Sequence, residues 1–213
     1  MKKNLRIMLA DDHQMVRKGL RLVIEEQRDW TVCAEATTGR EAVTKAKELK
    51  PDIVVMDFSM PELNGMEATR QIRAELPKTE VLILTASESE EIVPQMLAAG
   101  AGGYVLKGDT SNSLVDAIQS LAEHKPYFTA KITAFVLKGY LNPNTRESSA
   151  LTPREREIMQ LVAEGKSTKQ VADALTISIK TVETHRTNLM RKLHLHSVAD
   201  LTRYAIRNQI VQA

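Results

Sequence analysis

The sequence predicts an α/β fold, a doubly wound five-stranded parallel sheet, with a second, all-α domain behind it. Three observations carry this. Over the first 124 residues, short apolar runs alternate with amphipathic segments of helical period, as repeated βα units require. Pro51 and Pro77 close two of the amphipathic segments, because proline cannot continue a helix. Beyond residue 150 the strand pattern stops and helix-start signals follow one another.

Taken in order, strands are expected at 5–10, 30–35, 53–56, 81–84 and 103–106, and helices at 14–26, 39–49, 65–76, 90–99 and 111–123. A further helical pattern over 129–141 puts Ile132, Phe135, Val136 and Tyr140 on one face. The polar, turn-rich run from Asn142 to Ala150 then reads as a linker. Thr152-Pro153-Arg154-Glu155 offers an N-cap threonine, proline at the first helical position and a glutamate that closes a capping box. Three more helices follow, capped by Ser167, Ser178 and Ser197. These signals divide the chain into residues 1–125, a linker helix and linker at 126–150, and a helical domain at 151–213.

Composition narrows the class. The 213 residues are 43% hydrophobic and 26% charged, the balance of a packed globular protein rather than a disordered or fibrous one. The longest apolar runs, such as Val81-Leu82-Ile83-Leu84, fall far short of the ~18 to 20 residues of a membrane span. The start is basic but meets Asp11 and Asp12 after a few apolar residues, so it is not a signal peptide and a cytoplasmic chain is expected. A lone cysteine, Cys33, agrees with a reducing compartment and reads as a small core residue. Residues 1–140 carry 18 Lys and Arg against 20 Asp and Glu, whereas 141–213 carry 11 against 7. The basic excess of the tail weakly favours a nucleic-acid partner there.

The chemistry concentrates at the ends of the expected strands. Asp11 and Asp12 end the first, Asp57 the third, Thr85 the fourth and Lys107 the fifth, all at one end of the sheet, where a doubly wound fold places its ligand. Carboxylates within ~5 Å repel by roughly 3 kcal/mol per pair at an effective dielectric near 20. A divalent cation relieves this, and hard oxygen ligands suit Mg²⁺. Beside such a metal an aspartate can attack phosphorus, with Lys107 and Thr85 supplying charge and a hydrogen bond to the transferred group.

Leu9-Ala10-Asp11-Asp12-His13, Met56-Asp57-Phe58-Ser59-Met60-Pro61 with Asn64-Gly65, Leu84-Thr85-Ala86 and Tyr104-Val105-Leu106-Lys107 resemble, in order and spacing, the signatures of receiver domains. That resemblance implies a flavodoxin-like receiver phosphorylated on Asp57 by a sensor histidine kinase. It also implies Mg²⁺ held directly by Asp12 and Asp57, by Asp11 through water and by the Ser59 carbonyl. Thr85 and Tyr104 would be the switch pair, the aromatic ring filling space that the threonine vacates on phosphorylation. Gly108 departs from the proline many receivers carry after the lysine, which leaves the usual cis bond there in question. His13 reads as a helix-start residue.

In the tail, Val171, Ala172, Leu175, Ile177, Val182, Leu189 and Leu193 can form the inner faces of a helix-turn-helix. The second helix then presents Lys180, Thr181, Glu183, Thr184, His185 and Thr187 to base edges, and Arg186, Arg191 and Lys192 to phosphates. His185, His194 and His196 lack the cysteines of a zinc site. The segment from Leu151 to Ile206 closely resembles the LuxR-type helix-turn-helix of the NarL/FixJ branch of response regulators. The last helix, about 198–208, is expected to expose Leu201, Tyr204 and Ala205, and the resemblance implies that it pairs two DNA-binding domains. The reading is a phosphorylation-dependent transcriptional regulator without turnover of its own, dimeric on phosphorylation or on double-stranded DNA, with no membrane partner. A phosphohydrolase similar to the haloacid dehalogenases would need a second aspartate two positions after Asp57, where this chain has Ser59. A DNA-binding protein that has lost its need for phosphate would not require the set Asp57, Thr85 and Lys107.

Overall fold

The computed structural model describes residues 4–86, 92–109, 111–129, 132–134, 151–208 and 210–211. Five parallel strands, β1 (Leu5–Ala10), β2 (Trp30–Ala36), β3 (Ile53–Asp57), β4 (Glu80–Thr85) and β5 (Gly103–Leu106), form one sheet in the order β2-β1-β3-β4-β5. Helices α1 (Gln14–Glu25), α2 (Gly39–Leu49), α3 (Gly65–Glu75), α4 (Ile92–Ala98) and α5 (Ser111–Ala122) connect and cover them.

Side chains alternate between the two faces of a strand, and the two cores follow that alternation. Met8, Val54, Met56, Val81, Ile83 and Tyr104 pack with residues of α2, α3 and α4. Ile7, Leu9, Ile53, Val55, Leu82, Leu84 and Val105 pack with α1 and α5. Every residue of β3 is buried, as the central strand of a sheet covered on both faces should be. The strand order reverses between β1 and β3, so the ends of these two strands open a crevice in which Asp11, Asp12 and Asp57 meet.

The strands run slightly past their apolar runs. Residues Ala36, Asp57, Glu80 and Thr85 join the ladder because backbone pairing, not side-chain polarity, ends a strand. Four of the helices α1 to α5 stop one residue earlier than the sequence pattern, at Glu25, Glu75, Ala98 and Ala122. Of the pattern at 129–141, residues 132–134 are helical and Ile132 is buried in the receiver-like core. Phe135, Val136, Tyr140 and the linker at 142–150 lie outside the described residues, as do Glu90 and Glu91.

Among the described residues of the tail there are four helices, α6 (Pro153–Ala163), α7 (Thr168–Leu175), α8 (Ile179–Lys192) and α9 (Val198–Arg207). All four expected caps form: Thr152 and Ser167 in full capping boxes, and Ser178 and Ser197 accepting from the third residue of their helices. Their apolar faces enclose one small core that includes Ile158, Leu161, Val171, Leu175, Val182, Leu189 and Leu201. The expected exposed face of α9 is corrected here. Leu201 and Ala205 are fully buried and Tyr204 half-buried, whereas Val198 and Ile206 point outward. The apolar spacing of α9 is that of its inner stripe, which four short helices need for a core.

Candidate functional site

The strand ends assemble the pocket that their sequence positions promised. Asp11 and Asp57 are almost fully buried, and the Lys107 ammonium lies between them, 2.8 Å from Asp11 Oδ2 and 3.0 Å from Asp57 Oδ2. Neither of these oxygens takes a hydrogen bond of good geometry beyond that ion pair. Burial raises the pKa of Asp57, Lys107 opposes this, and the charge of Asp11 adds to it; the Ser59 amide donates to the carboxylate and steadies the charged form. Burial works against the Lys107 charge, but its contacts with Asp11 and Asp57 outweigh it and hold the pKa above the ordinary lysine value. Asp12 sits at the more open mouth.

Ligand atoms of Asp11, Asp12, His13 and Asp57 lie within 4.8 Å of one another. His13 starts α1, as its position suggested, and its Nδ1 stands 2.6 Å from Asp12 and 3.4 Å from Asp11, while its amide donates to Asp11 Oδ1. Buried carboxylate oxygens without hydrogen bonds, facing a cation, fit a hard divalent ion such as Mg²⁺. Thr85 and Tyr104 are buried side by side and hydrogen-bonded. Burial pushes the Tyr104 hydroxyl up to about 12, so the ring is neutral throughout the working range. The Lys107–Gly108 bond is trans.

Two further residues support the pocket: Arg17, which nothing in the sequence singled out, and Gly65 of the Asn64-Gly65 turn. Arg17, nearly buried on α1, donates through Nη1 to the Asp11 carbonyl at 2.7 Å and through Nε to Glu35 at 2.9 Å. It ties the β1–α1 turn to β2, and only its place at the fourth residue of α1 hints at this. Gly65 starts α3 with its amide on the Phe58 carbonyl, and a Cβ there would stand 2.0 Å from the Asp57 carbonyl oxygen. No other residue fits so close an approach of backbone to backbone.

On the helical domain, Lys180, Glu183, Thr184, Thr187 and Arg191 are exposed on α8, with Thr181, His185 and Arg186 half-exposed beside them. Lys192 is engaged: its ammonium lies 2.7 Å from Glu155 Oε2 in the α6 capping box, which ties α8 to α6.

Contacts from α6 join the two parts of the chain. Gln160 bridges the Met60 carbonyl and the Asn64 amide, Glu164 accepts from the Glu62 amide, Arg156 pairs with Glu67, and Glu157 meets Arg40 and Gln71. Nothing in the sequence marked these residues, since a polar side chain on a helix looks the same whether it meets water or another domain.

Residues 7–119 match the family model of the response regulator receiver domain, and residues 149–205 that of the bacterial regulatory proteins of the luxR family. The chain belongs to the response regulators. It is 39% identical over 209 residues to the transcriptional regulatory protein LiaR of Bacillus subtilis, covering 97% of this chain and 99% of that one. It is 36% identical over 217 residues to the oxygen regulatory protein NreC of Staphylococcus epidermidis, covering 98% and 100%. A solved structure of two RcsB dimers bound to two parallel DNAs is similar with a TM-score of 0.59 and 25% identity, over 95% of this chain and 98% of that one. This response regulator is therefore a transcriptional regulator with a receiver and a LuxR-type DNA-binding domain. Receiver domains bind Mg²⁺ at an acidic pocket, and the aspartate cluster of this regulator is of that kind. Among its described residues no helix is long and apolar enough to cross a membrane.

Proposed function

We propose that this regulator takes a phosphoryl group on Asp57 from a sensor histidine kinase and uses the resulting change to govern DNA binding. The observation that carries it is the Lys107 ammonium set between the buried carboxylates of Asp11 and Asp57, with ligand atoms of Asp11, Asp12 and Asp57 clustered in the same pocket. A Mg²⁺ ion held by Asp12, Asp57 and the Ser59 carbonyl, with Asp11 reached through water, would shield the carboxylates and stabilise charge on the transferred group. A carboxylate oxygen of Asp57 attacks phosphorus in line; the new O–P bond forms as the bond from phosphorus to the kinase imidazole breaks, and that nitrogen keeps the electron pair. Lys107 follows the charge that builds on the phosphoryl oxygens, and Thr85 turns its hydroxyl from Tyr104 to donate to one of them. Asp57 holds the group as an acyl phosphate. With Ser59 two positions beyond, no side chain there is an acid or base that would release it in turnover.

The working division is a receiver at 1–125, a linker helix and linker at 126–150 and the DNA-binding domain at 151–213. Helix α8 enters the major groove, with Lys180, Thr181, Glu183, Thr184, His185 and Thr187 toward base edges and Arg186 and Arg191 toward phosphates. Lys192, tied to Glu155, serves the fold of the domain first. Dimers form on phosphorylation or on DNA through α9, whose outer face carries Val198 and Ile206, and the protein works in the cytoplasm, away from membranes. The test is incubation with acetyl phosphate and Mg²⁺, native protein against Asp57→Asn, read by intact mass and DNA mobility shift. The native protein gains the phosphoryl mass and shifts DNA at lower concentration; the variant does neither. Equal DNA affinity of the two, with no added mass, would overturn the proposal.

A further inference from the structure

The loop between β3 and α3 begins directly after Asp57, and its backbone is held from the other domain. Gln160 on α6, 1% exposed, uses both ends of its amide: Oε1 accepts from the Asn64 N–H at 2.7 Å and Nε2 donates to the Met60 carbonyl at 2.9 Å. Nε2 also donates to Glu164 Oε1 at 2.8 Å, and that same oxygen accepts from the Glu62 N–H at 2.9 Å. Three main-chain groups between Met60 and Asn64 thus find their partners on α6 and its C-cap residue Glu164, about a hundred positions away.

The same loop shapes the pocket. The Ser59 N–H donates to the Asp57 carboxylate, and Gly65 packs against the Asp57 carbonyl. Asn64 caps α3 by accepting from Glu67. Glu62 has a φ of 66°, the left-handed region that a non-glycine residue holds only where its surroundings enforce it. Buried backbone groups that lose their partners carry a large desolvation penalty. If α6 left, Met60, Glu62 and Asn64 would relax toward other partners and take the pocket wall with them. The docked α6 meanwhile leaves Lys180, Glu183, Thr184 and Thr187 of α8 exposed, so the contact does not act by covering the recognition face.

We propose that Gln160 is a positioning residue of the phosphoryl-acceptor site: with Glu164 it clamps the β3–α3 loop, so the DNA-binding domain helps to build the metal-holding pocket of the receiver. This rests on the reading of Asp57 and its pocket given above. The coupling is reciprocal, so whatever reshapes the loop at Asp57 loosens α6 by the same free energy.

The test compares full-length wild type, Gln160→Ala and Glu164→Ala in three measurements: Mg²⁺ binding by calorimetry, hydrogen exchange of residues 58–66, and the Mg²⁺ dependence of Asp57 labelling by acetyl phosphate. In Gln160→Ala the Mg²⁺ dissociation constant and the half-saturating Mg²⁺ for labelling rise roughly three- to tenfold, as one or two lost hydrogen bonds would give. The loop amides exchange faster, and the labelling rate at saturating Mg²⁺ stays within about twofold. Glu164→Ala, at the half-buried end of α6, shifts in the same direction by less, and decides the matter should Gln160→Ala fail to fold. Unchanged Mg²⁺ affinity and unchanged loop exchange in the folded variants overturn the clamp. So does a lower rate at saturating Mg²⁺ with affinity unaltered, which marks a structural role only. A wild type that binds Mg²⁺ yet never gains a phosphoryl group overturns the Asp57 reading instead, while calorimetry and exchange still decide the clamp.

Discussion

At the scale of single residues, the pocket was legible because its chemistry lies at strand ends, where the order of a parallel sheet alone brings Asp11, Asp57, Thr85 and Lys107 together. Arg17 was not legible, because the value of a helical arginine depends on whether the fold turns it toward a carbonyl or toward water. The two nearly buried partners of Lys107 give it a sharp prediction. Lys107→Met removes the cation while keeping most of its stem, leaving Asp11 and Asp57 facing each other uncompensated. Labelling of Asp57 by acetyl phosphate should fall by about 10²-fold or more, the usual consequence of losing a charge that stabilises the transition state. Mg²⁺ binding should persist or tighten, since the competing ammonium is gone; a variant labelled at the wild-type rate would refute this role. Gly65→Ala has a different signature. Its methyl group cannot coexist with the Asp57 carbonyl at 2.0 Å, so the loop must shift, and a loss of roughly 1–3 kcal/mol of receiver stability by urea unfolding is expected together with slower labelling.

Helices and strands were read from the chain more securely than the faces they bury. Caps are local: Thr152, Ser167, Ser178 and Ser197 bond to amides three residues on, so the sequence contains the whole motif. Which side of α9 faces inward is set by neighbours far along the chain: Leu201 went into the core that Val171, Val182 and Leu189 needed to close, and Ala205 is buried as well. The α6 cap carries a pH prediction. Glu155 is nearly buried; burial raises its pKa, but the Lys192 ammonium and the Thr152 amide and hydroxyl prevail and hold it below the usual carboxylate range. A carboxyl whose folded pKa is depressed contributes stability that is present above its unfolded pKa of about 4.3 and is lost as pH falls through the folded value. Thermal unfolding of the full chain should therefore weaken on acidification below about pH 4.3, and Glu155→Gln should flatten the response while costing about 1 kcal/mol near pH 7. An unaltered acid dependence in that variant would show that the cap does not report on domain stability.

Across the whole molecule, two domains recognisable from sequence are joined by an interface that was not. The contact centres on Glu67, which is 1% exposed and accepts from Arg156 of α6 at 2.6 Å and from Arg70 of its own helix. Burial lowers the pKa of both arginines, and Arg156 lowers that of Arg70 further, while the Glu67 carboxylate pairs with both guanidinium groups and sits between their charges. Taking the carboxylate away leaves two like charges facing each other in a partly dry contact, a defect of roughly 3–5 kcal/mol for a buried pair. The molecule escapes that defect by undocking α6, which returns Arg156 to water. Glu67→Ala should accordingly open the chain, seen as a larger radius of gyration by small-angle scattering and as separate unfolding transitions for the two domains. Adding Arg156→Ala should restore part of the compact form, because the repulsion disappears with its second partner, whereas adding salt should do little, since screening reaches buried charges weakly. A Glu67→Ala protein as compact as wild type would mean that apolar packing, not this carboxylate, holds the domains together, and the double variant would then behave as the sum of two unrelated surface changes.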